Sequence, residues 1–317
     1  MPRPDVLIEH LGVVEHVAHV RDAADVPRTD VLKEDICDSV LPHPGNRPSQ
    51  MELANLLIEA RREGRTIVRP SHYLHEFDLN DGYEVYAAVD QGLRAQGLKP
   101  AGRKLGFTNK ATRKEFHLDT PIWAYIYTET LIETKGSEIE VDLGGLVAPR
   151  IEPEIVIGVG DRISQVGDDP SHLVDSVEWV AIGFEIVDCH FADWKFTAPE
   201  IVADFGAHSR LVVGKPLIVT ELMRSGLSEM LENLNVQLIC NDKVVDTGIG
   251  RNALGGPVNA LGFLLERVRT QSWSDDVCGG EIITTGTLTE LPYISPGERW
   301  RTEVSGGDLQ PLSIVLA

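Results

Sequence analysis

The chain has 317 residues, 42% hydrophobic and 25% charged, which suits a folded domain able to bury a full core. With 49 acidic against 29 basic residues the net charge is −20, which argues against nucleic acid or an anionic membrane surface as partner, though not against a small anion met by a local cation. Cys37, Cys189, Cys240 and Cys278 form no CxxC pair, as expected in a reducing cytoplasm, and no stretch approaches the roughly 18 apolar residues of a membrane span.

Residues 1–48 read as an N-terminal extension, and 49–317 as one domain. The run MPRPDVLIEHLGVVEHV mixes His and acidic residues into its apolar stretch, unlike a signal peptide, and LPHPGNRPS closes the extension as a loop. Ser49, with Glu52 three residues on, predicts a capping box. The helix it opens has Leu53, Leu56, Leu57 and Ala60 on one face and stops at Gly64. A second helix is predicted from Asp78 or Asn80, with Tyr83, Tyr86, Val89 and Leu93 on its apolar face.

After Gly97 strands take over. AGRKLGFTNKA reads as a short strand entering a loop, and PIWAYIYTETLIE, IEPEIVIGVG and VEWVAIGFEIVDC read as further strands. VQLIC and KVVDT flank an Asn241-Asp242 turn and predict a hairpin. GPVNALGFLLERVRTQ predicts a helix with Leu261, Leu264, Leu265 and Val268 inward, and strands joined by turns close the chain. The expectation is an α/β (α+β) domain, helical first and then mostly antiparallel.

Glu152-Pro153-Glu154 is the most informative motif. On a strand, residues i and i+2 share a face, and like charges so close are costly unless a cation or proton is shared. A lone ExE is commonly two solvent-facing residues; here both glutamates interrupt the apolar run IEPEIVIGV, and Glu185 interrupts WVAIGFEIV. Three such carboxylates make an oxygen site suited to Mg²⁺ or Mn²⁺. Lys104, between Gly102 and Gly106, is either a buried anion-binding or proton-transferring group or a member of a basic surface loop. Lys195 could fold back beside Glu185, or pair with Asp193 at the surface. Thr285-Gly286-Thr287 could hold a carboxylate or oxyanion. His117, His190 and His208 are isolated and read as hydrogen-bonded structural residues, and there is no GxSxG, HExxH or phosphate loop.

In this order, GRKLGFTNKA, DTPIWAYIYTE, RIEPEIVIGV, GFEIVDCHFADWKF, GGPVNALGFLLERV and EIITTGTLTELPYISPGE resemble the hydratase/decarboxylase branch of the fumarylacetoacetate hydrolase superfamily over roughly residues 50–317. The resemblance implies a mixed, mostly antiparallel β-roll with flanking helices, and a divalent-metal lyase acting on a small 2-oxo acid. It implies Glu152, Glu154 and Glu185 as metal ligands, Lys104 and Lys195 as catalytic groups, and Thr108, Thr285, Gly286 and Thr287 as substrate contacts. Hydration of a 2-hydroxydienoate such as 2-oxopent-4-enoate leads. Decarboxylation of a 4-oxalocrotonate-type acid, hydrolytic carbon–carbon cleavage of a 2,4-dioxo acid, and a metal-free structural partner of an active paralogue are the alternatives. Self-association, with a paralogous pathway enzyme as a further partner, also follows from the resemblance. Residues 1–48 have no counterpart in it, Phe205 stands where Asn is common, and Cys189-His190 stand where small or Arg-bearing sequence is familiar.

Overall fold

Ser49 brings the chain in extended (φ −67°, ψ 160°) and exchanges capping-box hydrogen bonds with Glu52, so α1 (Gln50–Glu63) starts there and Gly64, at φ 62°, ends it. Asp78 and Asp81 open α2 (Leu79–Ala95) in the same way. The computed structural model describes residues 48–133, 138–165 and 170–317; the extension expected over 1–48 lies, but for Pro48, outside them. After α2 come β1 (Pro100–Gly106), α3 (Lys110–Glu115), β2 (Ile122–Tyr127), β3 (Leu131–Glu133), β4 (Glu138–Val141), β5 (Arg150–Val159) and β6 (Val177–Val187). The chain continues through α4 (Ala198–Ala203), β7 (His208–Val213), β8 (Leu217–Ile218), α5 (Glu221–Asn233), β9 (Asn235–Cys240) and β10 (Lys243–Ile249). It closes with α6 (Pro257–Arg269), β11 (Ile282–Thr284), β12 (Arg299–Ser305) and β13 (Ser313–Leu316).

Among the described residues an eight-stranded sheet runs β2-β1-β11-β5-β6-β7-β3, with β8 beside β6, and a five-stranded sheet runs β10-β9-β12-β13-β4. Pairing is mostly antiparallel; β1 with β11, β3 with β7, and β4 with β13 are parallel. The expected hairpin is β9–β10, turning at Asn241 and Asp242, both left-handed at φ 45° and 65°. The stretch PIWAYIYTETLIE, expected as one strand, breaks at a 3₁₀ turn, Thr128–Thr130. The helix α5 was not foreseen.

That break explains the shape of the larger sheet. Only one turn of chain separates β2 from β3, yet they stand at opposite ends of the strand order. The sheet must therefore curl until its two edges meet, giving the mixed β-roll. On its inner face the register aligns Gly102, Lys104, Ile282, Thr284, Val156 and Ala181, and a small core of Ile126, Val156, Ala181, Leu211, Val213 and Ile282 fills the roll. The outer face belongs to the main core, with Ile155, Ile157, Phe184 and Ile186 beside Leu57 of α1, Tyr86 of α2 and Leu264 of α6.

An open strand edge is a hazard, and α2 covers the one at β2. The Tyr83 and Tyr86 hydroxyls accept hydrogen bonds from the Trp123 and Tyr125 backbone N–H groups at 3.1 and 2.6 Å, and the Tyr127 hydroxyl donates to Asp90 at 2.7 Å. Residues 83, 86 and 90 lie on one helical face, so the spacing read as a hydrophobic stripe also presents polar tips to the sheet.

The curl is tightest where glycine stands on the inner face. A Cβ on Gly102 would lie 1.9 Å from the Ile282 carbonyl oxygen, whereas one on Gly226 in α5 would meet nothing within 4 Å. Gly102→Ala is expected to lower stability by about 2 kcal/mol or more, and Gly226→Ala to raise it by about 0.5–1 kcal/mol, as read from denaturant unfolding midpoints.

Candidate active site

The antiparallel pairing of β5 with β6 sets Glu152 opposite Glu185 and Glu154 opposite Gly183, so all three carboxylates share the inner face. Each offers an oxygen within 4.8 Å of the others. Pro153 is tolerated inside this central strand because β11 stops at Thr284. Its carbonyl on that side accepts from Leu288 N–H, beyond the end of β11, where no ladder hydrogen bond asks for the missing donor. β11 also lies between β5 and β1, and pairs Thr284 with Lys104. The Lys104 Nζ reaches Glu185 Oε2 at 3.4 Å across the interior of the roll.

Glu154 and Glu185 are fully buried, and Glu152 opens on to a cavity of about 530 Å³. Burial pushes the Glu152 carboxyl up to about 8, and burial with the adjacent carboxylates pushes Glu154 well above the usual carboxylate range. Glu185 goes the other way, to about 2: against its burial, the Lys104 ammonium and the His208 ring hold it ionised. Lys104 is itself raised, since the three carboxylates outweigh the effect of its burial. Glu154 Oε1 and Glu185 Oε2 are buried with no hydrogen-bond partner, an expensive arrangement for two carboxylate oxygens unless a cation sits between them. The oxygen-only donor set and these two oxygens fit a hard divalent ion such as Mg²⁺ or Mn²⁺.

Gly286 supplies the remaining support. Its N–H donates to Glu154 Oε2 at 2.7 Å, its φ is 99°, and a Cβ there would fall 2.1 Å from Thr108 Oγ1. Only glycine lets the loop after β11 cross so close to Thr108. Thr108 and Thr287 line the cavity; Thr285 does not, its hydroxyl donating to the Ile155 carbonyl at 2.9 Å. Of the two placements open to Lys195, the structure has the surface pair with Asp193, at 3.3 Å with the side chain 70% exposed, and not the catalytic position beside Glu185. Asp193 and Trp194 take left-handed backbone (φ 58° and 53°), and this reversal leaves Trp194 and Phe196, not Lys195, on the cavity wall.

His208 has a partner for which the sequence carries no signal. A register shift between β6 and β7 pairs Val187 with His208, and the ring lands at 2.8 Å from Glu185 Oε1. On its other side Nε2 meets Thr130 Oγ1 at 2.8 Å, and Thr130 donates onward to the Tyr127 carbonyl at 2.9 Å. The residue that turns the chain at the seam of the roll thus orients the histidine that orients Glu185. Phe205 is left-handed (φ 56°), a conformation that Asn tolerates far better than Phe. The Arg61 guanidinium over its ring at 4.4 Å holds it, away from the cavity.

A family model for the fumarylacetoacetate hydrolase C-terminal domain matches residues 100–312. The chain belongs to that family. Within it, a 4-oxalocrotonate decarboxylase from a Pseudomonas species is 30% identical over 212 residues, covering 66% of this chain and 76% of the relative. The 2-keto-4-pentenoate hydratase 1 of Dechloromonas aromatica is 25% identical over 259 residues, covering 80% and 92%. The structure of 4-oxalocrotonate decarboxylase from Pseudomonas putida G7, complexed with magnesium and adipate, has the same fold: TM-score 0.76, 23% identity, 86% of this chain and 100% of that one covered. These relatives are hydratases and decarboxylases. Among the described residues no helix is long and apolar enough to cross a membrane.

Glu154→Gln is expected to weaken Mn²⁺ or Mg²⁺ binding by more than about tenfold without unfolding the chain. His208→Ala should cost about 10–100-fold in the same affinity, since an outer hydrogen bond fixes the ligand it touches. Calorimetric titration of metal into the purified variants, with thermal melts as the control, measures both.

Proposed function

We propose that the chain is a divalent-metal-dependent lyase whose domain, residues 49–317, adds water to a 2-hydroxydienoate or its 2-oxo-enoate tautomer, such as 2-oxopent-4-enoate. The observation that carries this reading is the buried Glu152–Glu154–Glu185 cluster beside Lys104 at the end of a cavity. A divalent ion held by those glutamates would supply Lewis-acid stabilisation for negative charge growing on the substrate's 2-oxo oxygen. The Lys104 ammonium is the protein's own cation at that end, and it favours the charge-shifted form of the substrate over the resting one. The Thr108 hydroxyl has no protein partner among the described residues and is free to orient a substrate oxygen. Gly286 and Thr287 shape the wall beside it, while the exposed Lys195 and the inward-bonded Thr285 hydroxyl are left out of the reaction.

A second reading, loss of CO₂ from a 4-oxalocrotonate-type acid, is favoured by one feature. Phe107, Phe116 and Phe196 cluster on the cavity wall, with ring centroids 4.7 to 6.5 Å apart. A wall of rings excludes water and suits a step that disperses carboxylate charge. Hydrolytic cleavage is less well supported: a His–Glu pair exists, His208 with Glu185, but Glu185 belongs to the metal-binding cluster and His208, off the cavity wall, is engaged on both sides. The same proposal includes a cytoplasmic location, as the free thiols Cys189, Cys240 and Cys278 suggest, and self-association.

With 2-hydroxypenta-2,4-dienoate or 4-oxalocrotonate, ultraviolet absorbance is expected to fall with Mg²⁺ and not with chelator. Product analysis then separates added water from released CO₂; no turnover of either by metal-loaded protein would sink the proposal. Lys104→Ala should keep its metal yet lose about 100-fold or more in kcat, with KM raised.

A further inference from the structure

We propose that Arg150 selects the substrate by receiving a second carboxylate, so that the cavity takes a 2-oxo dicarboxylic acid in preference to a monocarboxylic one. This rests on the 2-oxo acid reading above and ranks a diacid ahead of the monocarboxylic 2-oxopent-4-enoate named there.

Arg150 opens β5 two residues before Glu152, on the same face, and lines the same cavity. Two residues of strand cover about 6.6 Å, a span that a short extended carbon chain bridges when its other end lies at the glutamates. The guanidinium is clamped between two rings, its Cζ 4.5 Å from the Trp194 centroid and 4.0 Å from that of Tyr293. The indole is anchored by its side chain, and the half-exposed Tyr293 by its backbone. The Trp194 indole N–H donates to the Ala148 carbonyl at 2.8 Å, and Tyr293 forms an antiparallel bridge with Arg150 itself. The next residue, Ile294, donates its N–H to the Pro149 carbonyl at 3.1 Å. The left-handed pair Asp193-Trp194 is what brings the indole over the guanidinium.

Clamping has a chemical result. With both faces covered, the guanidinium can be approached by an anion only in its own plane, the geometry in which it grips a carboxylate with two parallel hydrogen bonds. Among the described residues Arg150 has no ion pair, and its Nε is buried without a hydrogen-bond partner. The other cations nearby are already matched, Lys104 by Glu185 and Lys195 by Asp193. The wall also carries Glu115, Asp246 and Glu290, which repel an anion, so a dianionic substrate needs a fixed positive charge here.

The test is calorimetric binding of 2-oxoadipate and of 2-oxohexanoate to full-length, Mn²⁺-loaded protein, as wild type, Arg150→Gln and Arg150→Lys. Wild type should prefer the diacid by about tenfold or more, and Arg150→Gln should erase that preference while holding the monoacid within about twofold. Arg150→Lys, which keeps the charge without the planar fork, should fall between. Equal weakening of both ligands in Arg150→Gln, or a preference that survives it, overturns the inference. If wild type binds both acids alike, the inference fails and the 2-oxo acid reading stands; if it binds neither, both fail together.

Discussion

Three carboxylates on one face of a sheet, with oxygens within 4.8 Å of one another, set the terms for everything around them. Their repulsion inside a low-dielectric roll is partly met by Lys104 and by the His208 ring on Glu185. The local structure follows from that. The Gly286 backbone comes close enough to donate a hydrogen bond to Glu154, the seam turn carries the hydroxyl that steadies His208, and Glu154 Oε1 stays bare for a cation. Folding bears the cost of this cluster only because the two flanking cores, inside the roll and outside it, are apolar and continuous.

Much of this was legible in the sequence, because the signals concerned are local. Ser49 with Glu52, the face Tyr83–Tyr86–Val89–Leu93, the Asn241-Asp242 turn and the shared face of Glu152 and Glu154 depend on residues a few positions apart. The burial of Glu152, Glu154 and Glu185 was legible for the same reason: each breaks an apolar run. What stayed hidden depends on distant pairing. The insertion of β11 between β1 and β5 and the register shift that aims His208 leave no periodicity. The break in PIWAYIYTETLIE carries no glycine or proline, and Lys195 is displaced by a left-handed pair of residues that seldom adopt that backbone.

Strained backbone collects around the cavity. Phe107, Asp193, Trp194 and Ala207 all have positive φ, and all lie on the cavity wall. Non-glycine residues hold this conformation only where packing over-determines it. The clustered rings of Phe107, Phe116 and Phe196 and the Trp194–Ala148 hydrogen bond are that packing. The result is a cavity whose wall is preset rather than moulded by its ligand, which lowers the ordering cost of binding.

The position of β11 bears on the order in which the molecule can be built. Lys104 from early in the chain and Glu154 from its middle stand on β1 and β5, and the strand between them comes from near the C-terminal end. A ribosome that has delivered every glutamate ligand has still not delivered the strand that spaces them from the lysine, nor the Gly286 N–H that steadies Glu154. Nascent chains therefore carry a gap in the middle of the sheet until β11 follows, and such non-local closure is slow. The glutamates therefore stand in their final spacing only once β11 is in place.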